Sequence, residues 1–301
     1  MIPGYEKVSQ IGIGARSTIH KAIESRTGRV YALKHVVRQP GDDDRYLAQA
    51  ENGHAVSSRI QHLHLRHSYT IHRVRKWTKV RELYVLLEYV EGMTLEDARP
   101  NRLDWFLQIM RKVALGLDAL HDAGYVHADI KPNNILLGKG GVVKIIDFGQ
   151  SCPIGHRKER IQGTPDYIAP EQVRRMPLER TTDVFNFGAT MYWVLTDRAY
   201  PTDIRQTVRK GSIDLARPNE ALTPKEINAK IPAVLSQLVM DCCRQNPAER
   251  PADMKQLQSR LEVVQRMWRK QQQAIQAKRR TGRGVKGAAV LRHRTATETQ
   301  P

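Results

Sequence analysis

The sequence is poor in cysteine and contains no long apolar run. Of its 301 residues only three are cysteines, and two of them, Cys242 and Cys243, are adjacent. An odd number with an adjacent pair is not typical of a disulfide framework, so we predict a protein of a reducing compartment, the cytoplasm. No stretch of about 18 apolar residues occurs, and the first residues lack the basic-then-apolar order of a signal peptide. We therefore predict no membrane span.

Acidic residues are scarce relative to basic ones. The chain has 49 lysines and arginines against 31 aspartates and glutamates, which gives a formal net charge of +18. Basic segments at residues 62–67 and 73–77 are predicted to be exposed surface. Residues 278–287 read KRRTGRGVKG and have no apolar period. We predict a helix extension and a disordered basic tail over residues 266–301.

Two interpretations of the basic tail stay open. Either it is a solvated arm, or it contacts a polyanion such as nucleic acid, an acidic membrane surface or an acidic protein. No aromatic residue lies between the charges of residues 278–287, so stacking on single-stranded nucleic acid is not supported.

The apolar pattern changes along the chain. Residues 30–37 and 83–90 are rich in β-branched and other apolar residues, which is typical of buried strands. From Leu103 onward apolar residues recur every three or four positions, which predicts helices. Strands followed by helices indicate two separate lobes and an α+β fold. An apolar stripe from Met254 to Trp268 predicts a further helix that packs on the helical lobe.

The most informative motifs are two short polar segments in the middle of the chain. Residues 127–134 read HADIKPNN, and residues 147–149 read DFG. Together they supply what phosphoryl transfer requires. Asp129 is a carboxylate that can orient an acceptor hydroxyl, and Asn134 and Asp147 are oxygen ligands that suit magnesium.

With these motifs the sequence resembles the protein kinase family, specifically its serine/threonine branch, from about Tyr5 to about Leu261. The resemblance implies a bilobal kinase-like fold with a catalytic domain over residues 1–265. Its β-rich N-terminal lobe would cover about residues 1–88 and its helical C-terminal lobe about residues 92–265. The resemblance also implies ATP and Mg²⁺ as cofactors, and a protein substrate that accepts phosphate on serine or threonine.

The resemblance assigns a role to each candidate residue. Asp129 is the catalytic carboxylate, and Lys131 neutralises charge on the transferred phosphoryl group. Asn134 and Asp147 bind the metal ions. The residues expected to bind the nucleotide lie in the glycine-containing loop, on the following strands and on the segment that joins the lobes: Ile11, Gly12, Gly14, Ser17, Ile19, Ala32, Lys34, Glu88, Val90 and Leu136.

A third motif indicates what kind of molecule accepts the phosphate. Residues 163–171 read GTPDYIAPE and resemble the end of a protein kinase activation segment, which kinases of small molecules generally lack. The resemblance implies that Thr164 faces the acceptor residue, that Glu171 pairs with Arg250, and that Asp183 anchors the catalytic loop. A protein substrate is therefore expected, and a small-molecule kinase is the less favoured alternative.

The sequence departs from the family pattern at two positions. The arginine expected before Asp129, which usually binds a phosphate on the activation segment, is Ala128. The glutamate expected to pair with Lys34 aligns with Gly53, two residues after Glu51. Either Glu51 takes that role or Lys34 has no such partner. The second possibility keeps open a weakly active, nucleotide-binding scaffold.

Overall fold

The N-terminal lobe consists of an antiparallel sheet and one helix. The computed structural model describes residues 2–14, 16–39, 44–204 and 221–294, with the side chains of the last range described as far as Ile275. Five strands form the sheet: β1 (Tyr5–Gly14), β2 (Ser17–Glu24), β3 (Val30–Val37), β4 (Ser68–Lys76) and β5 (Lys79–Glu88). They are ordered β1-β2-β3-β5-β4.

The helix α1 (Arg45–Ser57) covers one face of this sheet. Leu47 and Ala50 point inward and pack against a set of buried apolar side chains from β3 and β5, namely Ala32, Val36, Leu83, Val85 and Leu87. Tyr84 and Leu86 lie in a separate cluster on the opposite face. The apolar run of β5 is continuous because successive side chains of a strand alternate between two faces, and both faces are covered here.

The C-terminal lobe is mainly helical. Its helices are α2 (Leu95–Ala98), α3 (Leu103–Asp122), α4 (Pro170–Val173), α5 (Arg180–Thr196), α6 (Pro224–Ile227), α7 (Ala233–Cys242) and α8 (Met254–Arg294). Two small sheets lie beneath the N-terminal lobe. One has the order β6 (Gly92–Thr94), β8 (Ile135–Gly138) and β9 (Val143–Ile145), and the other pairs β7 (Tyr125–Val126) with β10 (Cys152–Pro153).

The helices α3 and α5 form the centre of this lobe. Phe106 and Leu117 of α3 and Phe185 of α5 are at most 1% exposed. Gly188 allows α5 to approach α7 closely, since a Cβ atom at this position would lie 2.5 Å from the Cβ of Cys242. The predicted order, strands followed by helices, is confirmed, and the fold is bilobal and α+β.

The last helix extends beyond the predicted stripe. Met254, Leu257, Leu261 and Val264 are buried as predicted. The backbone then continues as one helix to Arg294, whereas the sequence predicted a disordered tail from residue 278. Lysine and arginine, which are common in this segment, have good helix propensity, whereas each of the three glycines at 282, 284 and 287 costs about 1 kcal/mol relative to alanine. Residues 295–301 lie outside the described part of the chain.

Across the described ranges, every helix is too short or too polar to cross a membrane.

A buried ion pair joins the end of the activation segment to the helical lobe. Glu171 and Arg250 form two hydrogen bonds of 2.7 and 2.9 Å, and both residues are at most 5% exposed. The Arg250 guanidinium also donates to the backbone carbonyls of Arg244, Thr181 and Gln245. The geometry confirms the pairing expected from the sequence.

We expect Arg250→Met to lower the free energy of unfolding by about 3–5 kcal/mol, because it leaves the buried Glu171 carboxylate without a partner. Urea denaturation followed by fluorescence would measure this change. Lys255→Met is the matched control, since the Lys255–Asp122 pair of the same lobe is exposed and should contribute little. An unchanged urea midpoint for Arg250→Met would contradict the structural role of the pair.

Candidate active site

The loop that carries the catalytic residues is held from below by one buried carboxylate. Asp183, in the first turn of α5, accepts hydrogen bonds of 2.8 Å from the backbone nitrogens of His127 and Ala128. It also hydrogen-bonds His121 Nε2 at 2.8 Å. Burial alone would raise the pKa of Asp183, but these hydrogen bonds and the neighbouring histidines hold it below its ordinary value. Asp183 therefore anchors the loop, as the sequence predicted.

Three polar side chains meet directly above this anchor. Thr164 Oγ1 donates to Asp129 Oδ1 at 2.7 Å, and Lys131 Nζ donates to Thr164 Oγ1 at 2.7 Å. Lys131 Nζ also lies 3.0 Å from Asp129 Oδ2. In this cluster a carboxylate accepts a hydrogen bond from a hydroxyl, and an ammonium group lies beside both. The carboxylate can orient an incoming hydroxyl, and the ammonium group can neutralise the charge of a transferred anionic group.

Asn134 and Asp147 present oxygen atoms beside this cluster. Asn134, in a short 3₁₀ turn at Pro132–Asn134, donates through Nδ2 to the Asp129 carbonyl at 2.8 Å, which leaves its Oδ1 available as a ligand. The backbone nitrogen of Ile146 donates to the Asn134 carbonyl at 2.9 Å and so keeps the next residue, Asp147, close. This pair of oxygen donors fits magnesium.

Asp147 is surrounded by positive charge. Its backbone adopts a left-handed conformation with φ of 62°, and its carboxylate opens into the cleft with 47% of the side chain exposed. Lys34 Nζ lies 3.4 Å from Asp147 Oδ1. Lys34 lowers the pKa of Asp147 to about 2, and Arg66 and His127 act in the same direction against desolvation. The carboxylate is therefore ionised and ready to hold a cation.

A cavity of about 320 Å³ connects the predicted nucleotide loop to the catalytic cluster. From the predicted set, its walls include Gly14, Ser17, Lys34, Asp129, Lys131 and Asp147, and Thr164 closes one side. Six of the candidate residues, from both lobes, thus line one cavity, and their roles stay predictions.

The remaining predicted nucleotide residues lie away from the walls of this cavity. Ile11 and Gly12 are in β1, Ile19 in β2 and Ala32 in β3, while Glu88 ends β5, Val90 follows it and Leu136 lies in β8. Glu88 uses its side chain elsewhere, in a 2.8 Å ion pair with Lys144. A contact between these residues and the adenine ring stays a prediction.

The comparisons with known proteins agree with this geometry. The protein kinase domain family matches residues 5–261. The chain belongs to this family. It is 26% identical over 255 residues to a probable serine/threonine-protein kinase of Clostridium acetobutylicum, 82% of this chain and 37% of that protein. It is 29% identical over 273 residues to the serine/threonine-protein kinase drp72 of Corynebacterium efficiens, 87% of this chain and 51% of that protein.

A third relative shows the same partial overlap. The chain is 27% identical over 300 residues to the serine/threonine-protein kinase PknD of Chlamydia abortus, 86% of this chain and 30% of that protein. The kinase domain therefore spans between about a third and about half of the length of these curated relatives.

The helix α1 of this kinase domain has no glutamate that reaches Lys34. Glu51 instead pairs with Arg73, its Oε1 lying 2.6 Å from Arg73 Nε. Gly53 faces the backbone after Asp147, where an added Cβ would lie 3.3 Å from the nitrogen of Gly149. Among the described residues, Asp147 is the ion-pair partner recorded for Lys34. The sequence left two alternatives open: either Glu51 pairs with Lys34, or Lys34 has no glutamate partner. The structure favours the second alternative.

A residue that the sequence did not single out, Asn52, connects α1 to the turn at Asp147. Its Nδ2 donates to the carbonyls of Phe148, Gly149 and Ser151 at 3.3, 3.1 and 2.8 Å. No local pattern marks Asn52, because its partners are backbone groups distant in the sequence. The one sequence feature that could have indicated this contact is Gly53, because the lack of a side chain there allows α1 to approach the turn at Asp147.

Arg66 was also assigned wrongly. The sequence placed residues 62–67 on the exposed surface, but Arg66 is only 6% exposed. It follows the loop after α1 and lines a cavity of about 30 Å³ together with Lys34, Gly53 and Asp147. Its backbone nitrogen donates to the Ile145 carbonyl at 2.9 Å, which draws the side chain under the N-terminal lobe.

We expect Asn52→Ala to lower the free energy of unfolding by about 1–3 kcal/mol, because three carbonyls lose their donor. It should also weaken nucleotide binding, because the turn that carries Asp147 is no longer held by α1. Titration calorimetry and urea denaturation would measure both effects. Glu51→Gln, the neighbouring control, should change neither. Loss of nucleotide binding in Glu51→Gln would show instead that Glu51 serves Lys34 in the working enzyme.

Proposed function

We propose that this chain is a serine/threonine protein kinase that uses ATP and Mg²⁺. The observation that carries the proposal is the contact of Asp129, Lys131 and Thr164 on the wall of the cavity that also contains Lys34 and Asp147. This cavity offers a hydroxyl-orienting carboxylate, two ammonium groups and oxygen ligands at one place, which are the groups that phosphoryl transfer uses.

Each residue contributes a defined part of the reaction. Asp129 orients the acceptor hydroxyl and takes its proton, and Lys131 neutralises charge on the phosphoryl group as it moves. Lys34 holds the phosphates from the N-terminal lobe. Asn134 and Asp147 would hold the magnesium, which when bound supplies positive charge against the phosphate oxygens. Catalysis then rests on positioning and charge neutralisation rather than on covalent chemistry.

The adenine ring would bind between the lobes, above the phosphate cavity. The backbone of Glu88 and Val90 meets the edge of the ring in this proposal, and apolar side chains enclose its faces, namely Ile11, Ile19, Ala32 and Leu136. Gly12 and Gly14 permit close approach of the loop to the phosphates. Ser17, in the position of a third glycine, keeps its side chain on the same cavity wall.

A protein substrate is supported by the segment at residues 163–171. Its Thr164 contacts Asp129, and its Glu171 is fixed through the buried pair with Arg250, so the segment presents an ordered surface beside the catalytic carboxylate. The relatives named above are serine/threonine-protein kinases. The runner-up is a weakly active nucleotide-binding scaffold, which is favoured by the lack of a glutamate partner for Lys34.

We expect Asp129→Asn to abolish phosphate transfer while ATP binding changes little, because Asp129 faces the acceptor and not the nucleotide. Asp147→Asn should weaken both, because it removes a metal ligand. Labelled ATP, magnesium and a generic basic protein substrate would measure transfer, and calorimetry would measure binding. The control is Asp122→Asn, an exposed carboxylate of α3.

Three results would decide against the proposal. Transfer at the wild-type rate by Asp129→Asn would remove the catalytic role of this carboxylate. Nucleotide binding by the wild-type protein without any transfer would favour the scaffold, and transfer to small molecules but not to proteins would favour a small-molecule kinase.

A cytoplasmic location is part of the proposal. It is supported by the cysteines, since Cys152, Cys242 and Cys243 are all free and buried. Burial raises the pKa of Cys242 to about 12, so this thiol stays protonated.

We also propose that the basic tail contacts polyanions. Residues 277–301 contain seven lysines and arginines and one glutamate. The logarithm of the affinity for duplex DNA falls linearly with the logarithm of the salt concentration. Deleting residues 277–301 should make the slope of this line less negative, by about 0.9 for each phosphate that the tail neutralises. Fluorescence anisotropy at several salt concentrations would measure the slope. Turnover and melting temperature should stay close to those of the full chain, and a large drop in melting temperature would show instead that the tail packs on the body.

A further inference from the structure

A buried side-chain amide occupies the centre of the activation segment. Gln172 lies in α4 directly after Glu171 and is 4% exposed. Its Nε2 donates to the carbonyl of Ala128 at 2.8 Å and to the carbonyl of Gln162 at 3.1 Å. Its Oε1 accepts from the backbone nitrogen of Ala169 at 3.0 Å. One amide thus joins the catalytic loop to two points of the activation segment.

A second amide supports the first. Asn186 of α5 is 1% exposed, and its Nδ2 donates to Gln172 Oε1 at 3.0 Å and to the Tyr167 carbonyl at 2.7 Å. Gln172 therefore makes four hydrogen bonds, which is the number of donors and acceptor positions that a side-chain amide offers. The network is anchored in the central helix of the lobe, three residues after the loop anchor Asp183.

The surrounding backbone is shaped to fit this amide. Gly163 has φ of 134°, and a Cβ there would lie 3.1 Å from Gln172 Nε2. Ala128 has φ of 62° and is fully buried in a small apolar cluster with Val126, Cys152 and Leu178. The peptide that follows Ala128 leads directly to Asp129, so the hydrogen bond on the Ala128 carbonyl fixes the orientation of the catalytic carboxylate.

The earlier part of the activation segment, between residues 150 and 158, is also held by a contact within the segment. Lys158 Nζ donates to the carbonyl of Gln150 and lies 3.3 Å from its side-chain oxygen. The segment is thereby fixed at both ends by contacts within the protein.

We propose that Gln172, supported by Asn186, is a positioning residue that orders the activation segment and the peptide before Asp129 without phosphorylation. The proposal rests on the proposed kinase function for its catalytic part, but the ordering itself does not depend on activity. It assigns to a pair of amides the ordering that a phosphate and the arginine before the catalytic aspartate would otherwise provide, since that position is Ala128 here.

Two variants of Gln172 test the proposal. Gln172→Glu keeps the size and the acceptor but cannot donate to the carbonyls of Ala128 and Gln162, and Gln172→Met removes all four hydrogen bonds. The control is Gln265→Met, since Gln265 is similarly buried in the same lobe and accepts a hydrogen bond of 3.2 Å from Arg111, away from the activation segment.

The first measurement is limited trypsin digestion with mass analysis of the cut sites. Residues 157–160 offer Arg157, Lys158 and Arg160, which should be cut about tenfold faster in both Gln172 variants because local opening becomes easier. Sites in the rest of the chain should be cut at the wild-type rate, whereas general destabilisation would accelerate cleavage everywhere. Unchanged cleavage at residues 157–160 would overturn the proposal, whether or not the protein proves to be an active kinase.

The second measurement separates positioning from nucleotide binding. In the Gln172 variants, kcat/KM for the protein substrate should fall about tenfold while the Kd for ATP stays within about twofold, because the hydrogen bonds that these variants remove lie on the acceptor side. Wild-type enzyme treated with phosphatase should keep most of its activity. Silencing by phosphatase, with recovery after autophosphorylation, would overturn the proposal.

A third variant covers the case in which both Gln172 variants fail to fold. Asn186→Ser leaves Gln172 in place but removes its support and the hydrogen bond to Tyr167. It should give the same local increase in cleavage at residues 157–160 and the same fall in kcat/KM. A wild-type digestion pattern in this variant would count against the proposal in the same way.

Discussion

The catalytic half of the molecule depends on the buried carboxylate of Asp183. It holds two consecutive backbone nitrogens at the start of the catalytic loop, and His121 compensates part of its charge. Asp129, Lys131 and Asn134 follow within seven residues of His127, so the Asp183 carboxylate fixes the start of the loop that positions them. The second support comes from the same helix through Asn186. The central helix of the C-terminal lobe thus fixes both the loop at residues 127–134 and the segment at residues 163–171.

The helix α1 of the N-terminal lobe contacts this half through neutral hydrogen bonds, in addition to the ion pairs that Lys34 and Glu88 of the sheet make with Asp147 and Lys144. Asn52 donates to three carbonyls around the turn after Asp147, and Gly53 lets the helix rest against that turn. Hydrogen bonds between an amide and carbonyls are little affected by salt, in contrast to an exposed pair such as Glu51–Arg73. The ammonium group of Lys34 pairs with the carboxylate of Asp147 at 3.4 Å.

The sequence was sufficient for the parts of the site that are local. HADIKPNN and DFG place their functional side chains within a few residues of each other, and the strand-then-helix pattern predicts two lobes. It was insufficient for Asn52, Gln172 and Arg66. Asn52 bonds a carbonyl 96 positions away, and Gln172 bonds one 44 positions away, and a backbone acceptor leaves no signature in the sequence. Arg66 looked exposed because charged residues usually are, whereas its burial depends on the fold.

The packing of Ala128 has a consequence for which residues this position can tolerate. Its side chain is enclosed by Val126, Cys152 and Leu178, and its carbonyl is already used by Gln172. A single Ala128→Arg substitution would place a guanidinium among apolar groups, which costs stability. The residues that enclose position 128 would have to change together with it. Position 128 and its neighbours are therefore coupled, so the effect of an arginine here depends on what Val126, Cys152 and Leu178 are.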